Sequence, residues 1–259
     1  MNIPKITEII ENKKEAKDTR TITFYFPEKI IPGQFLMIWI PGVDEIPMSV
    51  SYNSDEKKGI TFRNVGEATN ALYNLRKREK IGIRGPFGNG FLIQGKHILF
   101  VGGGTGIATL APSVEEAVKN GIKSTVIIGV KSKSELFFEK RFKEYGANIV
   151  ISTDDGSAGR KGLASEIAKK ILKEEKIDSV ITCGPELMMK ALLNYSNDIL
   201  FQASLERYIK CAIGICGQCC IGKGLRVCQE GPVFDKETLK NIKDFGVYWR
   251  DAAGIKITY

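Results

Sequence analysis

The sequence predicts a chain of mixed class: a small antiparallel β-barrel, a doubly wound parallel α/β domain, and a cysteine-bearing C-terminal subdomain. Three observations carry this. Residues 1–93 are dominated by short β-branched and aromatic runs punctuated by Pro, Gly and Asn. From His97 onward, apolar strands alternate with helical stretches. Five cysteines then fall within residues 211–228, four of them, Cys211, Cys216, Cys219 and Cys228, in a metal-ligand spacing.

The barrel strands are read at Thr21–Phe26, Gln34–Ile40, Met48–Tyr52 and Ile60–Val65. Pro27, Pro32-Gly33, Pro41-Gly42 and Asn53-Ser54-Asp55 bound them, and one helix, Glu67–Leu75, interrupts them. Several short strands at this spacing suit a small barrel. The second part, residues 94–203, reads as strand His97–Val101, helix Ile107–Lys119, strand Ser124–Gly129, helix Ser134–Tyr145 and strand Asn148–Ser152. Helix Leu163–Glu174, strand Ser179–Thr182, helix Glu186–Tyr195 and strand Ile199–Ala203 complete it. Such alternation implies a parallel sheet with helices on both faces. Residues 204–259 form the third part.

Composition narrows the class. Of 259 residues, 43% are apolar and 26% charged, ordinary for a globular protein. No run approaches the ~18 apolar residues of a membrane span. The net charge is +8, much of it on Lys/Glu-rich helices. No basic cluster is interleaved with aromatics, so nucleic acid is not an expected partner. The N-terminal stretch MNIPKITEIIENKKEAKD has no apolar signal core, and a reduced-thiol compartment, the cytoplasm, is expected.

The cysteines Cys211, Cys216, Cys219 and Cys228 have the spacing C-x4-C-x2-C-x8-C. Its first half is the plant-type [2Fe–2S] ligand run. Gly214, Gly217, Gly222 and Gly224 allow backbone N–H groups to approach the sulfurs. Zinc is the competing reading, but structural zinc usually shows two separated C-x2-C pairs and only one is present. A Rieske centre needs two His ligands, and the chain has one His, His97. Cys220 and Cys183 are read as non-ligands. A one-electron centre makes the chain an electron carrier.

A second site follows the first α/β strand, where Gly103-Gly104-Thr105-Gly106 opens a helix. Glycines permit close backbone approach to a phosphate, and a helix N-terminus favours an anion. The end of the second strand, Gly129-Val130-Lys131-Ser132-Lys133, lacks the acid that would hold a ribose diol, so NAD and NADP both stay open. Cys183-Gly184-Pro185 also joins a strand to a helix, as a simple turn or as a lining of the cofactor crevice.

The order barrel, VGGGTGIA, CGP and cysteine loop resembles the ferredoxin reductase-like superfamily. Within it the chain is similar to the electron-transfer subunits of dihydroorotate dehydrogenase B. The segment SLERYIKCAIGICGQC is the most specific part, and GPFGNGF, TDDGSAGRKG and EGPVF add to it. The resemblance covers nearly the whole chain. It implies FAD in the barrel, NAD in the α/β domain and [2Fe–2S] in the C-terminal loop. It carries the flavin site onto Pro47, Met48, Ser49 and Val50, and onto Val65, Gly66 and Thr69. Family members usually have an Arg before that Pro; Ile46 stands there, and Arg63 is a candidate substitute. Thr109 stands where the family commonly has Pro.

The resemblance also implies a partner, an FMN-containing catalytic subunit that oxidises dihydroorotate in pyrimidine synthesis, in a heterotetramer of two plus two. NAD takes a hydride and an iron–sulfur centre carries one electron, so a flavin between them makes chemical sense. The alternatives are the reductase subunit of a ferredoxin–NADP oxidoreductase or sulfide dehydrogenase, and a hydrogenase-associated diaphorase. A zinc-stabilised nucleotide-binding regulator is the non-enzymatic one. Ile213, Ile215 and Ile221 are read as partner contacts or as core. No catalytic triad or carboxylate pair is expected, and His97 is read as structural.

Overall fold

A computed structural model describes residues 3–196 and 198–259. Six strands form the first part: β1 (Lys5–Ala16), β2 (Thr19–Tyr25), β3 (Phe35–Ile40), β4 (Asp44–Asn53), β5 (Lys57–Arg63) and β6 (Lys80–Phe87). They close into a barrel in the order β1-β2-β5-β4-β3-β6. Every pairing in it is antiparallel. Ile22, Phe24, Leu36, Ile38, Ile60 and Ile81 fill its interior. Helix α1 (Glu67–Asn74) joins β5 to β6 and contributes Leu72 to that core.

Strands β1 and β6 lie outside the runs read from the sequence. The reason for β1 is visible in its burial. Only Ile9 and Ala16 of its twelve residues are buried, so charge hides the alternation.

The second part contains β7 (His97–Gly103), α2 (Gly106–Lys119), β8 (Lys123–Val130), α3 (Glu139–Tyr145), β9 (Asn148–Thr153) and β10 (Arg160–Lys161). It continues with α4 (Ala164–Glu174), β11 (Ser179–Cys183), α5 (Glu186–Tyr195) and β12 (Leu200–Ser204). The strands from β10 to β12 pair in parallel, in the order β10-β9-β8-β7-β11-β12. The winding reverses between β7 and β11, which opens a crevice beyond their carboxyl ends.

The single helix expected over Ser134–Tyr145 is instead a 3-10 turn, Lys133–Glu135, followed by α3. Phe138 breaks it with a left-handed backbone, φ 66°. That turn lets consecutive Phe137 and Phe138 both be buried, their rings 4.8 Å apart. Phe138 in turn meets Tyr52 of the barrel edge-on at 5.6 Å, and Arg141 lies 3.6 Å over the Tyr52 ring. These contacts seat the barrel against the α/β part.

After β12 the chain leaves the sheet for residues 205–232 and carries a small hairpin, β13 (Cys220–Ile221) with β14 (Leu225–Arg226). It returns as β15 (Val233–Asp235), antiparallel to β12, making the sheet seven-stranded. Helix α6 (Lys236–Asn241) follows, capped by Asp235 accepting from the Thr238 N–H at 2.8 Å. A last hairpin pairs β16 (Tyr248–Arg250) with β17 (Lys256–Thr258). Among the described residues no helix is long and apolar enough to cross a membrane.

Candidate cofactor sites

Two cavities meet at the junction of barrel and sheet. The first, of about 420 Å³, lies in the crevice beyond β7 and β11. Gly103, Gly104, Thr105 and Gly106 line one side, and Gly184 and Pro185 the other. A side chain at Gly106 would place its Cβ 2.3 Å from the Cys183 carbonyl oxygen. The glycine thus lets the start of α2 press against the end of β11, aiming the helix N-terminus into the cavity. Cys183 is beneath this floor, 1% exposed, and burial pushes its thiol up to about 12. Thr109 and Ser204 hydrogen-bond with it there.

The far end of this cavity is lined by Lys131, Glu135 and Asp154. Glu135 and Asp154 are carboxylates, the residue type absent from the end of the second strand. They come instead from the 3-10 turn after β8 and from the loop after β9, where neighbouring parallel strands end side by side. Only the sheet order brings them together, and a motif tied to one strand end misses them.

The second cavity, of about 340 Å³, lies against the barrel. Pro47, Met48 and Ser49 of β4, Arg63 of β5, Val65 and Thr69 line it, with Phe35 and Ile209 behind. Val50 is 2% exposed in the barrel interior, because strand alternation turns it inward while Ser49 faces out. Thr69 has a structural task as well. Its hydroxyl accepts from the N–H groups of Val65 and Gly66, each at 2.9 Å, and so fixes the start of α1. Gly66 is the N-cap of that helix and lies beside the cavity. Ile46 pairs with Ile38 and packs on the barrel core, leaving no cation at that place. Arg63, Thr105 and Glu206 line both cavities, so the two open onto each other there.

The thiols of the cysteine loop lie in two pairs. The Cys216 N–H points at the Cys211 sulfur at 3.5 Å, and the Cys228 N–H at the Cys219 sulfur at 3.4 Å. Burial pushes the Cys211 thiol up, but N–H groups of Cys216, Ile213 and Ile215 together outweigh it and pull the thiol down to about 6. Gly214 and Gly217, with φ of 77° and 72°, turn the backbone so that its donors face the sulfurs. Among the described residues, no three His, Cys, Asp or Glu side chains stand as a ready metal group. The donor chemistry nonetheless fits a thiolate-held centre, with four sulfurs and N–H groups aimed at three of them, Cys211, Cys219 and Cys228. Cys220 is turned aside, its sulfur 3.9 Å from the Gly224 carbonyl oxygen.

Cys219 and Cys228 are buried in the same apolar core as Phe35, Phe87 and Ile209, the core that backs the second cavity. Cys216 is exposed. Ile221 is core at 1% exposure, while Ile213 and Ile215 are surface at 41% and 80%. The loop is held to the crevice by a buried ion pair: Arg207, just after Glu206, with Glu186, the first residue of α5. The other Glu186 oxygen accepts from the Gly246 N–H at 2.7 Å. His97 is structural, its Nε2 2.9 Å from the Thr125 hydroxyl.

A barrel, a doubly wound sheet and a thiol loop around two joined cavities define a ferredoxin reductase-like electron-transfer protein. Residues 100–194 match the oxidoreductase NAD-binding domain family. Residues 206–240 match the iron-sulfur cluster binding domain of dihydroorotate dehydrogenase B. A protein of Methanocaldococcus jannaschii named "Probable dihydroorotate dehydrogenase B (NAD(+)), electron transfer subunit" is 47% identical over 260 residues, 99% of this chain and 98% of its own. A protein of the same name from Methanothermobacter thermautotrophicus is 42% identical over 100% of this chain and 99% of its own. The chain belongs to the family of dihydroorotate dehydrogenase B electron transfer subunits. Among solved structures, an NADH-dependent reduced ferredoxin-NADP oxidoreductase superposes with TM-score 0.82 at 28% identity, covering 92% of this chain and 89% of that one. The FAD/NAD-binding domain of a Vibrio cholerae nitric oxide dioxygenase, at 16% identity and TM-score 0.67, shares the fold; the match covers 76% of this chain and 97% of that domain.

Proposed function

We infer that this chain is the electron transfer subunit of an NAD-dependent dihydroorotate dehydrogenase, an oxidoreductase of pyrimidine synthesis. It carries electrons from the FMN of a catalytic subunit through [2Fe–2S] and FAD to NAD. The observation that carries the reading is the single core joining Cys219 and Cys228 to the wall of the barrel cavity, which itself opens onto the nucleotide crevice. The three sites stand in the order such a relay needs. The flavin supplies the exchange between hydride and single electrons.

Cys211, Cys216, Cys219 and Cys228 hold the cluster in this reading, and Cys220 and Cys183 do not. Pro47, Met48 and Ser49 face the flavin, Val50 anchors their strand, and Val65, Gly66 and Thr69 present the start of α1 to its phosphates. Arg63 supplies the cation that Ile46 does not. Gly103, Gly104, Thr105 and Gly106 take the nicotinamide dinucleotide with Gly184 and Pro185, and Cys183 supports that turn from beneath. Glu135 and Asp154 favour a ribose diol over a 2′-phosphate, which supports NAD. The assembly is two of each subunit, working in the cytoplasm, and dihydroorotate binds the partner alone.

The test is the visible spectrum of the chain purified anoxically with its native partner, before and after adding dihydroorotate. Bleaching of both flavin and iron–sulfur bands is expected. A spectrum that dihydroorotate leaves unchanged but NAD(P)H bleaches would move the chain to a ferredoxin-linked reductase, the reading suggested by the 28%-identical structure.

A further inference from the structure

One stretch of the barrel's outer wall is apolar and open to solvent. Ile6 of β1, Gly82 of β6, Trp39 of β3 and Glu45 of β4 lie in one row across four paired strands. Trp39 is the exposed residue in a strand whose other five are buried, and it and Ile6 are 37% and 54% exposed. A Cβ at Gly82 would lie 2.7 Å from the Trp39 ring and 3.0 Å from the Pro4 side chain. The missing side chain therefore lets the indole and Pro4 lie down on the wall as a platform. Ile3, 65% exposed, extends it.

The platform abuts the cysteine loop. Arg84 follows Gly82 by two residues, on the same face of β6, and lines the same shallow recess as Trp39 and Ile6. Its guanidinium grips Glu45 through two bonds, of 2.7 and 2.6 Å, and reaches the Cys211 carbonyl oxygen at 3.5 Å. The wall thus runs into the loop rim, where Cys216 is exposed and Ile215 and Ile213 project. Because Arg84 and Glu45 neutralise each other, the face is apolar with a self-paired polar margin, the pattern of an interface core rather than of a solvated wall.

We propose that the Ile6–Trp39 platform and the loop rim at Ile213–Cys216 form one continuous docking face for the dihydroorotate-oxidising subunit. The inference rests on the proposed function. Cys219 and Cys228 face the flavin side, so electrons enter at the exposed side, and the donor must cover the rim. A loop rim alone is small against the ~800 Å² per partner of a stable interface. The adjoining wall supplies the rest, and a Trp on an apolar platform is the residue type that dominates binding energy.

The test is the affinity of the cofactor-loaded chain for its catalytic subunit, measured by titration calorimetry for wild type, Ile6→Glu/Trp39→Glu, Trp39→Glu, Trp39→Ala, and Tyr145→Glu on α3 as control. The charged double variant should bind at least about 30-fold more weakly, and Trp39→Ala about tenfold. Flavin and iron content and NADH-driven dye reduction should stay at wild-type levels, and the control should bind normally. Affinity within threefold of wild type in the double variant would overturn the assignment. So would a chain that self-associates on its own and becomes monomeric on Trp39→Glu, which would give the wall to a second copy. If Trp39→Glu loses cofactor, Trp39→Ala decides. A wild-type chain that fails to bind the subunit at all would instead sink the functional reading, and the wall's assignment with it.

Discussion

Replacing Arg207 with Met should destabilise the protein by about 3–5 kcal/mol, the cost of leaving a buried carboxylate without its counter-charge. The magnitude follows from burial. The side chains of Arg207 and Glu186 are 5% and 4% exposed, so neither charge falls back on water. The Glu186 carboxylate also accepts from the Gly246 N–H and hydrogen-bonds with the Tyr259 phenol, but neither group carries a positive charge. Were the pair at the surface, its loss would cost about 0–1 kcal/mol. The assay is guanidinium unfolding of cofactor-loaded protein followed by circular dichroism, where this loss lowers the midpoint by about 0.5–1 M. Adding Glu186→Gln to Arg207→Met removes the stranded charge and should recover at least half of the loss. A single variant within ~1 kcal/mol of wild type, or a double variant worse than the sum of the two singles, would refute the burial argument.

The remaining expectations concern the sites and the sheet. Gly106→Ala drives a methyl onto the Cys183 carbonyl, so NADH affinity should fall at least tenfold by fluorescence titration, with flavin content unchanged. Cys220→Ser and Cys183→Ser should keep full iron, while serine at 211, 216, 219 or 228 should lose it; an iron-free Cys220→Ser protein with an intact Cys228→Ser cluster would reverse the assignment. Arg63→Ala should shed FAD during dialysis faster than wild type, and equal retention would place the phosphate contact elsewhere. Burial holds His97 below its ordinary value of 6.5, so the folded protein binds that proton less readily than the unfolded chain. Its contribution is therefore complete above pH 6.5 and is lost as pH falls through the depressed value. A His97→Gln variant should show a flatter acid limb in thermal melts.

What the sequence made legible was set by how each element is buried. Strands β7, β8 and β11 are buried along nearly their whole length and read as apolar runs; they, β9 and β12 are legible with ends within one or two residues, whereas the short exposed β10 is not. Helix α5 was read with the bounds it has. Strand β1 escaped because its outward residues are charged and its inward ones few. The break at Phe138 escaped because two adjacent aromatics look helical until both need burial. Among site residues, the glycine turn and the cysteines announced themselves by local spacing. Glu135 and Asp154 did not, since they meet only through the pairing of β8 with β9. Glu186 and Arg207 likewise depend on a tertiary return of the chain. The three isoleucines of the cysteine loop could not be sorted beforehand, because burial of Ile221 and exposure of Ile215 reflect the hairpin β13–β14 rather than composition.

The cysteine loop leaves the sheet and rejoins it at a single rung. Ser204 ends β12, Val233 begins β15, and the two are ladder partners, with the Leu205 N–H bonded to the Pro232 carbonyl at 2.9 Å. Both stems of the excursion are clamped to one sheet, as a drawer is held by two rails. An electron carrier on a swinging tether spends its cycle diffusing between donor and acceptor, and its turnover slows in viscous solvent. A carrier clamped in this way makes no such journey. Glycerol or sucrose should leave the internal transfer between cluster and flavin at its aqueous rate, slowing only the arrival and departure of the nucleotide.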